Sequence, residues 1–192
     1  GGLCDGAGAC VPCLVSSDCN TDQVCRNDAC FNAIEDVGQS TALATSASVS
    51  GDALYFFALP ALPHDAVLAS FGAYGNAAGA TANMGLYADD GTGTRPVGAP
   101  LAQTTNPMSL IDGATEQSAS AAPALVAGKS YWVAFITNTS TTMRSQTAAT
   151  AKGYRAPGFG YANFLPNPPA NPPGISLNGV SWALYIVVRD TD

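Results

Sequence analysis

Six cysteines are the residues of this sequence whose type and spacing most clearly predict chemistry. All fall within 27 residues, and none occurs in the 162 residues that follow. This segment has too few large apolar side chains to fold around a core of its own, so cross-links must supply the order. We therefore predict three disulfides and an oxidising, extracellular location, although spacing alone does not choose the pairing. The cysteines are Cys4, Cys10, Cys13, Cys19, Cys25 and Cys30.

A metal or haem site is the alternative use of these cysteines. Cys10 and Cys13 form one Cys-x-x-Cys pair, but the second pair of a zinc site is missing and no histidine lies nearby. No histidine follows Cys13, so the spacing also fails as a haem attachment. We predict neither a metal site nor a cofactor.

An acidic run inside the same segment resembles the start of a calcium loop. Asp18, Asn20 and Asp22 have the right spacing, but Gln23 stands where a glycine is expected and Ala29 where a bidentate glutamate is expected. Solvated acids are the better interpretation.

Catalytic constellations are not found elsewhere in the sequence. His64 is the only histidine, and it lies beside Pro63 without a serine or cysteine motif to pair with. Asp89 and Asp90 are adjacent in a predicted turn and should point apart. Residues 128–130, Gly-Lys-Ser, lead into a strand where a phosphate loop would lead into a helix. We predict that the protein is not an enzyme.

The cysteine spacing carries a resemblance. The run from Cys10 to Cys30, with Asp18 before Cys19 and Gln-Val before Cys25, resembles short cysteine-rich modules of large secreted proteins of myxobacteria and their relatives. The resemblance covers residues 4–31. It implies a compact extracellular spacer beside other domains.

The remaining composition describes an unusually uncharged chain. Only 11% of its 192 residues are charged, against about 25% in typical domains. The net charge is −7, and residues 1–36 hold −5 of it. No basic patch is present for nucleic acid, and no apolar run is long enough for a membrane span. Because the sequence opens at Gly1 without methionine or a signal, we expect a processed or excised form.

Short strands separated by turn residues dominate residues 36–192. The clearest is 130–137, which alternates Tyr131, Val133 and Phe135 against Trp132, Ala134 and Ile136, so that neither face is polar. Residues 54–59 and 181–189 show the same two-faced pattern, and weaker strands are expected at 67–74, 83–88, 99–104, 108–111, 115–119 and 143–150. We predict an all-β fold, a jelly-roll-like antiparallel sandwich over 36–192, behind a disulfide-rich segment over 1–35.

Two stretches of this region carry a second resemblance. Residues 84–91 read Met-Gly-Leu-Tyr-Ala-Asp-Asp-Gly, and residues 125–134 read Leu-Val-Ala-Gly-Lys-Ser-Tyr-Trp-Val-Ala. Together they resemble a β-sandwich module that recurs in secreted bacterial proteins. The resemblance implies an extracellular, non-catalytic module of a kind sometimes presumed to bind carbohydrate.

Residues 156–174 are not strand-like, since they contain six prolines. Repeated proline predicts an extended loop that costs little to order. The loop also carries Phe159, Tyr161 and Phe164. It is interpreted either as a flap over the outer face of the sheet or as an arm that binds a partner.

Two functions follow as expectations. The first is a subunit of an extracellular fibre or surface layer, in which neighbouring copies cover apolar sheet faces and strand edges and the chain ends are held by packing. The alternative is a lectin-like module that stacks glycan rings on exposed aromatic residues. Asn138 begins a glycosylation sequon. The aromatic candidates for partner or sugar contact are Phe159, Tyr161, Phe164, Tyr74, Tyr87 and Tyr154, and Trp132 and Trp182 belong to the same pool with core burial favoured.

Overall fold

The computed structural model describes most of the chain. The described residues are 3–4, 10–11, 13, 15–20, 23–26, 29–147, 152–165, 168–170, 175–176 and 180–190; residues 3, 4, 10, 11, 26, 175 and 176 are described by their backbone alone. No helix in these ranges is long and apolar enough to cross a membrane.

The N-terminal segment is a pair of small hairpins cross-linked by cystines. Strand β1 (Leu3–Cys4) pairs with β2 (Cys10–Val11), and β3 (Gln23–Arg26) pairs with β4 (Ala29–Asn32), both antiparallel. A short 3-10 helix at Ser16–Asp18 lies between the hairpins. Disulfides join Cys13 to Cys25 and Cys19 to Cys30, with Cα atoms 5.7 and 5.6 Å apart. Four of the six predicted disulfide cysteines are thereby confirmed, and the side chains of Cys4 and Cys10 lie outside the described atoms.

The rest of the chain forms two antiparallel sheets. Sheet I has the order β10-β9-β14-β7-β16-β17, with β11 also on β9. Sheet II has the order β18-β15-β8-β19-β5, with β12 and β13 on β8 and β6 on β15. The strands are β5 (Ile34–Gly38), β6 (Thr45–Val49), β7 (Ala53–Ala58), β8 (Ala66–Asn76), β9 (Thr81–Asp89), β10 (Pro96–Gln103), β11 (Met108–Ser109), β12 (Asp112–Ser118), β13 (Ala124–Leu125), β14 (Tyr131–Thr137), β15 (Thr141–Thr147), β16 (Gly153–Pro157), β17 (Ile175–Ser176), β18 (Val180–Trp182) and β19 (Leu184–Asp190).

The predicted all-β, jelly-roll-like sandwich is confirmed, because the facing sides of the two sheets enclose one core. Tyr131, Val133 and Phe135 of β14 point into it, as the alternation predicted. Leu184, Ile186 and Val188 of β19 meet them from sheet II. The strand expected at 181–189 is interrupted at Ala183, so that Trp182 closes β18 and also packs in this core, 5.2 Å from the Tyr55 ring.

One helix departs from the expectation that residues 156–174 are an extended loop. Helix α1 (Tyr161–Phe164) has only four residues, which is too short to show a helical period in the sequence. It follows β16 through Gly158 and Gly160, which have φ of 73° and 77°. Two glycines in this left-handed region allow the chain to turn back over sheet I.

Candidate functional site: the aromatic outer face of sheet I

The outer face of sheet I carries a second apolar cluster. Side chains alternate along β14. Because Tyr131, Val133 and Phe135 point inward, the other three point outward, namely Trp132, Ala134 and Ile136. Register places Trp132 opposite Tyr87 of β9 and Ala58 of β7, so the aromatic side chains gather on one face. The cluster consists of Leu54, Phe56, Tyr87, Trp132, Ala134, Ile136 and Phe164, each fully buried.

The cover over this face comes from the same chain. Phe164 of α1 is 0% exposed, and its ring lies over Gly85, where an added Cβ would be 3.1 Å from Cζ. Phe159 meets Phe164 edge to face at 6.3 Å between ring centroids. Residues 158–165, which follow β16, thus lie over sheet I as a flap, one of the two predicted arrangements of this loop; residues 166–167 and 171–174 lie outside the described residues.

Two hydrogen bonds tie the flap down at the start of α1. The backbone N–H of Tyr161 donates to Asp52 Oδ1 at 2.7 Å, and the Tyr161 hydroxyl contacts Thr81 Oγ1 at 3.0 Å. Asp52, at φ 54°, is the one described non-glycine residue with positive φ, so its carboxylate is presented by an unusual turn. No local sequence pattern indicates this contact, because its partners are 109 residues apart.

The turn after β9 fixes the indole of Trp132. Asp89 Oδ1 accepts from the N–H groups of Gly91 and Gly93, both at 2.8 Å, and Oδ2 accepts from Trp132 Nε1 at 2.7 Å. The two sequence stretches that carried the second resemblance therefore meet at this bond. Both carboxylate oxygens of Asp89 are therefore used in contacts within the fold.

Asp90 points away from Asp89, as expected for neighbours in a turn. Hydrogen bonds from the side chain and backbone of Thr92 lower the pKa of Asp90, and Arg95 Nε lies 3.1 Å from its Oδ2. The two carboxylates therefore have separate hydrogen-bond partners within the turn.

The six aromatic residues predicted to contact a partner or sugar divide into two groups. Five of them gather at the outer face of sheet I: Tyr87, Tyr154, Phe159, Tyr161 and Phe164. Burial corrects the prediction for Tyr87 and Phe164, which are 0% exposed and offer nothing to a partner while the flap is closed. Tyr154 is half-buried, with its ring 5.3 Å from Trp132 and its hydroxyl donating to the carbonyl of Thr94.

Tyr74 lies apart from the other five, on the outer face of sheet II. Its ring is 6.3 Å from Tyr185, which is 3% exposed. Tyr185 lies against Gly72, where any Cβ would overlap the ring, and donates to Glu116 Oε1 at 3.0 Å. Tyr185 and Val187 on the second face of β19, and the neighbouring Ala183, are thus also buried within one chain.

These contacts correct one part of the predicted assembly, namely that neighbouring copies cover the apolar sheet faces. Trp132, Trp182 and the aromatic residues of β7 are all at most 7% exposed in a single copy. Neighbouring copies are therefore not needed to cover the apolar sheet faces. The predicted ordering of the chain ends concerns residues 1–2 and 191–192, which lie outside the described residues.

The His64 side chain links the loop between β7 and β8 to strand β5. Its Nε2 lies 2.9 Å from Glu35 Oε2 and its Nδ1 lies 2.9 Å from the carbonyl oxygen of Asp65. Both ring nitrogens are therefore engaged in contacts within the fold.

Tyr87 makes a testable contribution to alkaline stability. Burial raises the pKa of Tyr87 well above its ordinary value, and its hydroxyl has no hydrogen-bond partner among the described residues. The folded protein therefore favours the neutral phenol of Tyr87. Its contribution to the free energy of unfolding is present below about pH 10 and is lost as the pH rises above that value. We expect Tyr87→Phe to unfold at a higher pH than wild type in an alkaline titration followed by circular dichroism.

Tyr185→Phe is the matched control, because burial and Glu116 also raise the pKa of Tyr185 but its hydroxyl is satisfied. This variant loses a hydrogen bond of about 1 kcal/mol at neutral pH, whereas Tyr87→Phe loses none. A neutral-pH penalty for Tyr87→Phe as large as that for Tyr185→Phe would contradict this account.

The fold and contacts define a disulfide-stapled, antiparallel β-sandwich with a sealed aromatic face. No protein-family model matches the chain, and no curated protein is significantly similar to it.

Proposed function

We propose that the chain is a non-catalytic extracellular structural module that associates with copies of itself in a fibre or surface layer. Cystines persist in oxidising compartments, which supports the extracellular part of the proposal. The observation that carries the association is the edge of strand β5, which pairs only with β19 among the described residues. The contacts run along strand edges, since the apolar faces are occupied within each copy.

The register of β5 determines which of its backbone groups point outward. Gln39 N–H donates to the Leu184 carbonyl at 2.9 Å, and Asp190 N–H donates to the Ala33 carbonyl at 3.0 Å. In an antiparallel ladder such pairs alternate, so residues 33, 35, 37 and 39 face β19. The N–H and C=O groups of Ile34, Asp36 and Gly38 consequently point away from β19, where a partner strand can bind them.

The β10 edge of sheet I is protected against the same reaction. Strand β10 carries Pro96 and Pro100, and its register against β9 shifts between Val97 and Ala102. Proline and irregular register are the usual devices that prevent edge pairing. Protection of the β10 edge limits indiscriminate pairing through that end of sheet I.

The position of β5 in the chain suits a subunit that associates with other copies. It follows directly from the cystine-linked hairpin β3–β4, so the staple sits beside the proposed contact. The chain as a whole is poor in charge, which reduces electrostatic barriers between copies, although β5 itself carries Glu35 and Asp36. The resemblance of residues 4–31 to secreted spacer modules agrees with a mechanical role.

Glycan stacking on exposed aromatic residues has less support as a function. The two tryptophans, Tyr87 and Phe164 are all buried, so only Tyr74, Tyr154, Phe159 and Tyr161 of the aromatic candidates are partly exposed. Sugar binding through a different site is argued below.

Asp36→Pro is the variant that tests the edge. Proline at position 36 removes only the outward N–H and leaves the neighbouring bonds to β19 in place. We expect it to shift the protein towards monomer in sedimentation velocity over a concentration series, with fewer assemblies in negative-stain images. Asp36→Ala keeps the N–H and removes a like charge, so it should associate at least as well as wild type.

Two outcomes would overturn the proposal. One is a wild-type protein that stays monomeric at every concentration reached. The other is equal association of Asp36→Pro and Asp36→Ala, which would mean that the edge of β5 makes no contact.

A further inference from the structure

Three adjoining clefts join into one groove at the side of the sandwich. Their volumes are about 240, 370 and 400 Å³. The first and second share Pro60 and Lys152 in their walls, and the second and third share Asp89 and Ser130. We call this continuous surface the lysine groove, bounded by Lys129 at one end and Trp182 at the other.

Both lysines of the chain line this groove. They are Lys129 and Lys152, in a protein that has only seven cationic residues and a net charge of −7. Both are exposed, and among the described residues neither forms an ion pair with a carboxylate. Lys152 Nζ donates to the Gly93 carbonyl at 2.7 Å, which fixes one of its three donors and leaves two for a ligand.

The carboxylate between the lysines is already occupied. Asp89 accepts three N–H groups, from Gly91, Gly93 and Trp132, as described above. Both of its oxygens are held by these donors, and among the described residues it forms no ion pair with either lysine. The lysines therefore remain available to an external anion.

The Trp182 end supplies an unused donor. Trp182 is 5% exposed, lines the first cleft beside Lys152, and has no hydrogen-bond partner for Nε1 among the described residues. Native structures rarely leave a buried indole N–H unpaired.

The opposite end gives access to the backbone. Gly91 and Gly128 line the third cleft at φ of 89° and 71°, and no atom lies within 4 Å of a Cβ built on either. Glycine at these positions satisfies the turns and leaves the groove floor uncovered. A ligand can approach the main chain there without a side chain in its path.

We propose that the lysine groove binds an acidic polysaccharide, with the two ammonium groups on uronate carboxylates and the neutral groups on ring hydroxyls. The lining alternates charge with hydroxyl, amide and indole groups such as Ser130, Gln39 and Trp182. That mixture matches a polyhydroxylated chain with spaced carboxylates better than a run of acidic peptide. The site goes beyond the proposed self-association and would anchor the module in an acidic extracellular matrix.

The test is binding of polygalacturonate by isothermal titration calorimetry at low salt, with dextran and poly-glutamate as comparison probes. We expect measurable binding of polygalacturonate and none of dextran. The double variant Lys129→Gln/Lys152→Gln should weaken binding by at least about tenfold, since each charge-assisted contact contributes more than a neutral one. Arg189→Gln removes the same charge from an exposed site outside the groove and should change affinity less than about twofold.

Three results would overturn the inference. Failure of polygalacturonate to bind the wild-type protein is the first. Equal weakening by Arg189→Gln would assign the effect to overall charge, and equal binding of poly-glutamate would assign the groove to acidic peptides. Circular dichroism of each variant distinguishes lost binding from lost folding.

Discussion

Replacing Phe164 with alanine is expected to lower the free energy of unfolding by about 3–5 kcal/mol. The ring is fully buried between the outer face of sheet I and the rest of the flap, and it fills the space above Gly85. Its removal leaves a cavity that α1 cannot close, because the flap is held at Asp52 and Thr81. Urea denaturation followed by circular dichroism measures the change.

Phe159→Ala is the matched control for this prediction. It removes the same side chain from the same flap at a partly exposed position, 6.3 Å from Phe164. Phe159→Ala should lower the free energy of unfolding by less than half as much as Phe164→Ala, because it exposes less buried apolar surface to water. If both variants lower the free energy of unfolding equally and by less than about 1 kcal/mol, this would contradict the role of Phe164 in covering the aromatic face.

Loss of the Cys13–Cys25 disulfide is expected to destabilise the N-terminal segment by about 3 kcal/mol, with the sandwich left folded. The bond closes a chain segment with a sequence separation of 12, and few apolar contacts hold this region otherwise. In the double variant Cys13→Ala/Cys25→Ala, limited proteolysis should cut within residues 1–35 much faster than in wild type. Near-ultraviolet circular dichroism should keep the signal of the buried tryptophans.

The Cys19–Cys30 pair provides the comparison, because its sequence separation of 11 is almost the same. Removal of either bond should have similar effects on proteolysis. Cooperative unfolding of the whole chain after loss of one bond would show that the segment and the sandwich are a single folding unit, against the division at residues 35 and 36.

Local patterns in the sequence were sufficient to predict the sheets. Alternation along residues 130–137 predicted both faces of β14, and the structure places Val133 inward and Trp132 outward accordingly. Clustering of the cysteines predicted the cross-linked segment. Both inferences depend on neighbours in sequence, where spacing and side-chain direction are directly linked.

The cover over Trp132 could not be predicted in the same way. Aromatic residues within a proline-rich loop allowed either a flap or an arm, and the choice depended on Phe164 reaching Gly85 across the sheet. The bond from Trp132 to Asp89 likewise joins residues 43 apart. Such contacts are set by the tertiary arrangement, which alternation and turn chemistry do not encode.

The most direct test of this account is acrylamide quenching of tryptophan fluorescence at a concentration where sedimentation shows monomer. Trp132 and Trp182 are the only tryptophans, and one copy of the chain buries both. The account predicts strong shielding in the monomer, and faster quenching of the Phe164→Ala variant because Trp132 loses its cover. Quenching of the wild-type monomer at the rate of free indole would contradict the central claim that the chain covers its own aromatic face.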